Sequence, residues 1–141
     1  MKDIEIRPCR LEECEEVIEV WRAHHPPGIL ERLDEIQRLV THCGDHLLVA
    51  RSDGQIVGTV IAGWDGWRGH LHHLTVRPLY RRRGVARALV EEAERRLVSK
   101  GARRVSVLAE RDNAEANSFY ESLHDRGYTL DTWMQRYTKR L

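Results

Sequence analysis

Residues 81–86 read Arg-Arg-Arg-Gly-Val-Ala, and apolar residues at helical spacing follow them. The first turn of a helix leaves backbone N–H groups without intrahelical partners, and its aligned peptide dipoles add partial positive charge. Gly84, with no Cβ, lets a ligand come close to that backbone. Such a turn suits an anion, phosphate or pyrophosphate above all. Arg81, Arg82, Arg83 and Arg87 surround it with donors that match phosphate geometry. Three cations in a first helical turn oppose the dipole, and a bound anion would relieve that conflict. The plainer alternative is a solvated basic helix start. A P-loop is excluded because no Gly-Lys-Ser/Thr follows, and the dinucleotide fingerprint Gly-x-Gly-x-x-Gly is absent. Tripled arginines also suit nucleic acid, but a formal net charge of only +1 argues against a dedicated binder.

The run His-Leu-His-His at 70–73 offers different chemistry. On a strand, His70 and His72 share one face and His73 takes the other. Imidazole titrates near neutral pH, which suits a general base. A half-buried polar strand position is the plainer reading. No carboxylate or cysteine at fixed spacing completes a tetrahedral set, so no metal is expected. Cys9, Cys14 and Cys43 are odd in number and form no Cys-x-x-Cys pair. They read as reduced thiols of a cytoplasmic protein. No stretch is long and apolar enough to span a membrane.

These groups need elements to hold them. A chain of 141 residues, 41% apolar and 32% charged, is sized for one globular domain spanning 1–141. Residues 4–8 alternate and end at a proline, which marks a strand. Leu11, Cys14, Val17, Ile18 and Trp21 recur at spacings of three and four, the stripe of an amphipathic helix over 11–23. Tandem prolines in 24–28 stop it. Ile29, Leu33, Ile36, Leu39 and Val40 make a second stripe. Strands follow at 46–51 and 56–64, joined by an Asp53-Gly54 turn. A turn at 65–69 leads to a strand at 70–76. Val85, Ala86, Leu89, Val90, Ala93 and Leu97 stripe a helix that Gly101 ends. Residues 103–109 read as a buried strand, and Ala116, Phe119, Tyr120 and Leu123 mark a last helix closed by Gly127. The segment 128–141 reads as one or two final strands. The order β-α-α-β-β-β-α-β-α-β-(β) predicts an α/β fold with a mixed sheet.

Two blocks carry a resemblance. Arg81-x-x-Gly84-x-Ala86 after a strand ending Val76-Arg-Pro78 resembles the acetyl-CoA signature of the GNAT N-acetyltransferases. Asn113-x-x-Ala116-x-x-Phe119-Tyr120-Glu121-x-Leu123 resembles a second block of that family, in its order and at its usual distance. The likeness spans nearly the whole chain and points to small bacterial members similar to the ribosomal-protein alanine acetyltransferases. It implies the GNAT acyl-CoA N-acyltransferase fold and transfer of acetyl from acetyl-CoA to a primary amine, by direct attack in a ternary complex.

The resemblance also implies roles. The strand before the glycine turn carries a bulge in this family, and the pantetheine arm lies beside it. Leu74, Thr75 and Val76 would pair with that arm, a main-chain N–H near Leu74 holding the acetyl carbonyl as charge develops. Arg81, Arg82, Arg83, Gly84, Val85, Ala86 and Arg87 would surround the pyrophosphate, and Asn113 would contact the pantetheine or CoA backbone. Tyr120 would be a cofactor contact and would protonate the leaving thiolate. The amine must lose a proton before it attacks, so a base is needed. Relatives carry a glutamate where this chain has Leu108 or His70. The base is therefore open among His70, His72 and Glu110. His24, His25, Trp64 and Trp67 could line the acceptor pocket, with core or turn-cover roles the alternative for Trp64 and Trp67. His124, Asp125 and Arg126 are inserted relative to the family and either lengthen the last helix or enlarge its loop. None of the cysteines falls in either block, which argues against a thiol nucleophile. A non-catalytic acyl-CoA-binding module would share every cofactor feature. The acceptor's identity and a homodimer both stay open.

Overall fold

Four of the predicted strands and four helices recur close to their expected places in a computed structural model, which describes residues 3–23 and 32–141. The described residues fall into two compact units, within Met1–Val107 and Leu108–Leu141. The first unit holds one five-stranded sheet, with strand order β1-β2-β3-β4-β5. Its strands are β1 (Glu5–Pro8), β2 (Leu47–Ser52), β3 (Gln55–Trp64), β4 (Gly69–Val76) and β5 (Val105–Val107). The first four pair antiparallel, and β5 joins β4 in parallel. That last pairing requires a crossover, supplied by α3 (Val85–Lys100).

Helix α1 (Cys14–Arg22) begins after a 3-10 turn at Leu11–Glu13, and α2 is Leu33–His42. Ile29 and the proline-rich segment lie outside the described residues. Cys14, Val17, Ile18 and Trp21 of α1 pack with Ile36 of α2 and with Leu47, Val49 and Ile56 of the sheet. Because side chains alternate along a strand, Leu48 and Ala50 take the other face, toward α3. Val85, Leu89, Val90, Ala93 and Leu97 are the buried stripe of α3, as their spacing predicts. Gly101, at φ 108°, closes the helix in the left-handed conformation.

Helix α4 (Ala114–Ser122) lies in the second unit. The inserted His124, Asp125 and Arg126 neither extend it nor open a loop; they form one 3-10 turn that ends at Gly127. Two expectations are corrected. The strand expected at 103–109 pairs only over Val105–Val107. Residues 128–141 contain no strand at all. Their aromatic and β-branched residues fit a strand by type, but strand preference is realised only by packing on a sheet. Here Leu130, Trp133 and Tyr137 are exposed.

A charged cluster ties α1 to the sheet. Glu13, only 9% exposed, takes both Nη atoms of Arg7 at 2.8 and 2.9 Å, Nη1 of Arg51 at 2.7 Å and the Arg10 N–H at 2.9 Å. Glu16 accepts from the Ile56 N–H at 2.7 Å. The Arg7 hydrogen bonds, with smaller help from the Arg10 N–H and Arg51, hold the Glu13 carboxyl down at about 2. A depressed folded pKa contributes stability above the unfolded value of 4.5, and that stability is lost as pH falls toward 2. Urea titrations from pH 6 to pH 2 should show this loss. Glu13→Gln should remove about 3 kcal/mol at pH 7 and flatten the pH dependence between 4.5 and 2. An unchanged slope in the variant would assign the acid sensitivity elsewhere.

Candidate active site

Strand β4 leads into the arginine-glycine turn through Arg77 and a 3-10 turn at Pro78–Tyr80. Arg77 donates its backbone N–H to the Val57 carbonyl at 2.8 Å and its Nε to the Ile56 carbonyl at 2.6 Å. The Tyr80 hydroxyl donates to Asp53 Oδ2 at 2.7 Å and accepts from Gln55 Nε2 at 3.3 Å. The β2–β3 turn, with Asp53 and Gly54 both left-handed at φ 54° and 75°, thus braces the approach to α3. Arg81 donates Nε to the Val76 carbonyl at 3.0 Å, so this arginine ties the loop back to the end of β4.

The next residues differ in kind. Arg82 lies at φ 60° and Gly84 at φ 82°, with Arg83 between them outside the left-handed region. Alternating hand turns successive N–H groups toward one side, the geometry of an anion-binding concavity. Arg82, Arg83 and Gly84 are exposed, Val85 is buried beneath them, and Ala86 and Arg87 are half-buried. The Arg83 guanidinium sits 5.4 Å from the Tyr80 ring centre. No acidic residue stands in the first turn of α3, and no side chain caps it. A Cβ placed on Gly84 would meet nothing within 4 Å. By contrast, a Cβ on Gly58 of β3 would lie 3.0 Å from Leu89 and 3.2 Å from Val85. Gly58 therefore lets the start of α3 sit directly on the sheet, with its N–H groups at the end of β4.

Within β4 the register slips. Thr75 pairs with Thr59 and His72 with Ile61, so His73 and Leu74 together oppose Val60. This bulge puts His73 at φ 50°, the left-handed position usually filled by glycine. The β4–β5 pairing ends at Leu71 and Val107. Leu74, Thr75 and Val76 thus run beyond the last partner on β5, and a ligand backbone could use that edge.

His70 and His72 lie on one face, with ring centres 6.2 Å apart, and His73 faces α1, stacked on Trp21 at 4.2 Å. His70 Nε2 is 3.4 Å from Asp65 Oδ2, and Asp65 Oδ1 accepts from the Trp67 and Arg68 N–H groups. Those backbone donors, more than His70, lower the Asp65 pKa. His72 is exposed. Trp64 is half-buried, while Trp67 is exposed with Arg68 stacked 3.7 Å over its ring. His24 and His25 lie outside the described residues. All three cysteines are free thiols. Burial pushes Cys9 up to about 12 and raises Cys14, so neither is a ready nucleophile. Among the described residues, no group of three or more His, Cys, Asp or Glu could hold a metal. No described helix is long and apolar enough to cross a membrane.

The second unit carries the remaining candidates. Asn113 caps α4, its Oδ1 accepting from the Ala116 N–H at 3.0 Å. The Asn117 amide donates to the Glu110, Arg111 and Asn113 carbonyls at 2.9, 3.2 and 2.8 Å, fixing the turn before the helix. The Glu110 side chain is exposed. Burial pushes the Tyr120 hydroxyl up to about 12.

Sequence reasoning missed Thr59, Trp21, Tyr80 and Asn117 as site-building residues. Thr59 had a visible signal, a hydroxyl in the middle of the apolar run at 56–64. Asn117 sits inside the second block already singled out. Trp21 and Tyr80 had none, because nothing local marks a tertiary partner.

Comparison with known proteins gives concordant matches. The model of the acetyltransferase (GNAT) family matches residues 11–125. A curated relative, "Acetyltransferase SG1711" of Sodalis glossinidius, is 36% identical over 126 residues, covering 85% of each chain. Among solved structures, the aminoglycoside acetyltransferase AAC(6')-Iy, in complex with the bisubstrate analog CoA-S-monomethyl-acetylneamine, superposes with a TM-score of 0.77. It is 21% identical and covers 99% of both chains. A ribosomal-protein-alanine N-acetyltransferase from Brucella melitensis biovar Abortus superposes with a TM-score of 0.75 at 18% identity, again over 99% of both. At these identities the two structures speak to the fold alone.

Proposed function

Because the chain belongs to the GNAT acetyltransferase family, we propose that it moves the acetyl group of acetyl-CoA onto a primary amine. The observation that carries this reading is a single stretch of backbone, residues 74–84. It begins as a strand edge beyond its last β5 partner and ends at a left-handed, arginine-flanked helix start. That sequence of features suits a ligand with a peptide-like arm followed by a pyrophosphate. A bisubstrate analog built on CoA in a structure of the same fold supports the choice of ligand.

In this reading the N–H groups of residues 82–87 receive the pyrophosphate, with Arg82, Arg83 and Arg87 adding charge. Arg81 acts at one remove, by holding the loop to Val76. Leu74, Thr75 and Val76 pair with the pantetheine arm, and the Leu74 N–H points its hydrogen at the thioester oxygen. The amine nitrogen attacks the thioester carbon, the new C–N bond forms, and the C–S bond then breaks with its electron pair on sulfur. The ammonium gives up one proton before attack, with His72 or His70 as the base in preference to Glu110, and the nitrogen loses a second proton once the C–N bond has formed, which offsets the one that sulfur gains. Sulfur ends as the CoA thiol.

Tyr120 assists that departure. A phenol near 12 is a weaker acid than a thiol, whose ordinary pKa is about 8.5. Its contribution is therefore a hydrogen bond to the developing thiolate, and its proton passes to sulfur only as the second proton lost by the nitrogen returns to the phenol, so that no phenolate is left behind. Asn113 shapes the start of α4 and contacts the pantetheine. The three free thiols suit a reducing compartment, and we place the enzyme in the cytoplasm.

Gly84→Glu puts bulk and an acid where the pyrophosphate sits. Calorimetry should show acetyl-CoA affinity falling about 100-fold or more, the scale of losing charge-assisted contacts and adding repulsion. Unchanged affinity would sink the loop assignment. Tyr120→Phe should lower kcat by about 100-fold, with acetyl-CoA affinity within a few-fold of the parent. Both are read against a panel of primary amines that includes peptide N-termini and polyamines. Binding without turnover across that panel would make the chain an acyl-CoA-binding module instead.

A further inference from the structure

A residue other than glycine held at φ 50° carries backbone strain and needs something to hold it there. His73 has such a device. Its ring lies on the Trp21 ring, 4.2 Å between centres and 20° from parallel. The Trp21 indole N–H donates to the Thr59 hydroxyl at 2.9 Å. The Thr59 hydroxyl in turn donates to the His73 carbonyl at 2.9 Å. The three residues close a ring of contacts in which one side chain grips the imidazole and another grips the backbone of the same residue. Trp21 is 1% exposed and Thr59 is 0% exposed. Both polar groups are buried, so neither can exchange its partner for water without rearrangement.

The position of this ring gives it a use. His73 is the first residue of the bulge and Leu74 the second. Rotation at His73 would re-aim the Leu74 N–H, and a slip of β4 by one residue would exchange its faces. We propose that Trp21 and Thr59 are positioning residues for acetyl transfer. They lock the bulge so that the Leu74 N–H is fixed before substrate arrives. The inference rests on the reading of residues 74–76 as the acyl-binding edge. It adds that turnover depends on a hydroxyl and an indole that touch neither substrate.

Because a donor must match the oxygen where charge develops, loosening it should slow the reaction without weakening binding of the CoA body. Thr59→Val keeps the shape and removes the hydroxyl; Thr59→Ser keeps the hydroxyl. Thr59→Val should lower kcat by about 100-fold, the order expected when a group shifts by about 1 Å. Its acetyl-CoA affinity should stay within about threefold of the parent, since the pyrophosphate contacts remain. Thr59→Ser should keep kcat within about threefold. Trp21→Phe retains a ring to stack on His73 but loses the N–H, and should fall between them. The nitrogen-15 order parameter of the Leu74 amide in the free protein provides a readout independent of turnover. It should fall from about 0.85 to below about 0.6 in Thr59→Val and stay at the parent value in Thr59→Ser. Parental kcat in Thr59→Val, or equal slowing in the Val and Ser variants, would overturn the proposal. So would an unchanged Leu74 order parameter in Thr59→Val, which also decides the matter if Thr59→Val and Trp21→Phe both bind poorly. Failure of the parent protein to bind acetyl-CoA is a different result and would instead overturn the functional reading.

Discussion

Between His72 and Thr75, β4 must fit two residues where β3 supplies one. That mismatch places His73 in the left-handed region and turns the strand at the point where its β5 ladder has already ended. The core is arranged around it. Trp21, the largest fully buried side chain of α1, spends its ring face on His73 and its N–H on Thr59. Thr59, in the middle strand of the sheet, gives its hydroxyl hydrogen to the bulge carbonyl. An extra residue that would otherwise be a defect is thereby made rigid.

The same strand then delivers the chain to the start of α3, where a second constraint operates. The N–H groups of a helix start are useful only if the helix is seated at the right height. Gly58 permits that seat, because a Cβ there would meet Leu89, Val85 and the Thr75 carbonyl. Arg77, Tyr80 and Arg81 fix the path between strand and helix by bonding to β3, to the Asp53-Gly54 turn and to Val76. Arg82 and Arg83 are exposed. The basic cluster is thus divided between arginines that build the loop and arginines that face outward.

Much of this was legible in the amino-acid order. Stripes of apolar residues marked α1, α2, α3 and α4, Asp53-Gly54 marked the hairpin, and Gly101 marked a helix end. These signals are local and the physics that produces them is local. The final strands expected at 128–141 failed for the opposite reason. Aromatic and β-branched residues make a strand only where a sheet receives them, and Leu130, Trp133 and Tyr137 are exposed. The 3-10 turn at His124–Arg126 depended on how a three-residue insertion is absorbed, which spacing leaves undecided. At the site, Gly84 and its arginines stood out because their chemistry is their own. Thr59 and Trp21 matter only through each other and His73, and their positions in the chain are 38 residues apart.

In the proposed function one continuous stretch of backbone, from the bulge to the first turn of α3, holds acetyl-CoA. An amide-resolved nuclear magnetic resonance titration of the uniformly nitrogen-15-labelled protein with acetyl-CoA tests it most directly. The largest shifts should fall on the Leu74, Thr75 and Val76 amides and on those of residues 82–87, moving together at one saturating stoichiometry. Saturation with those amides unmoved, or no shift anywhere in the first unit, would contradict it.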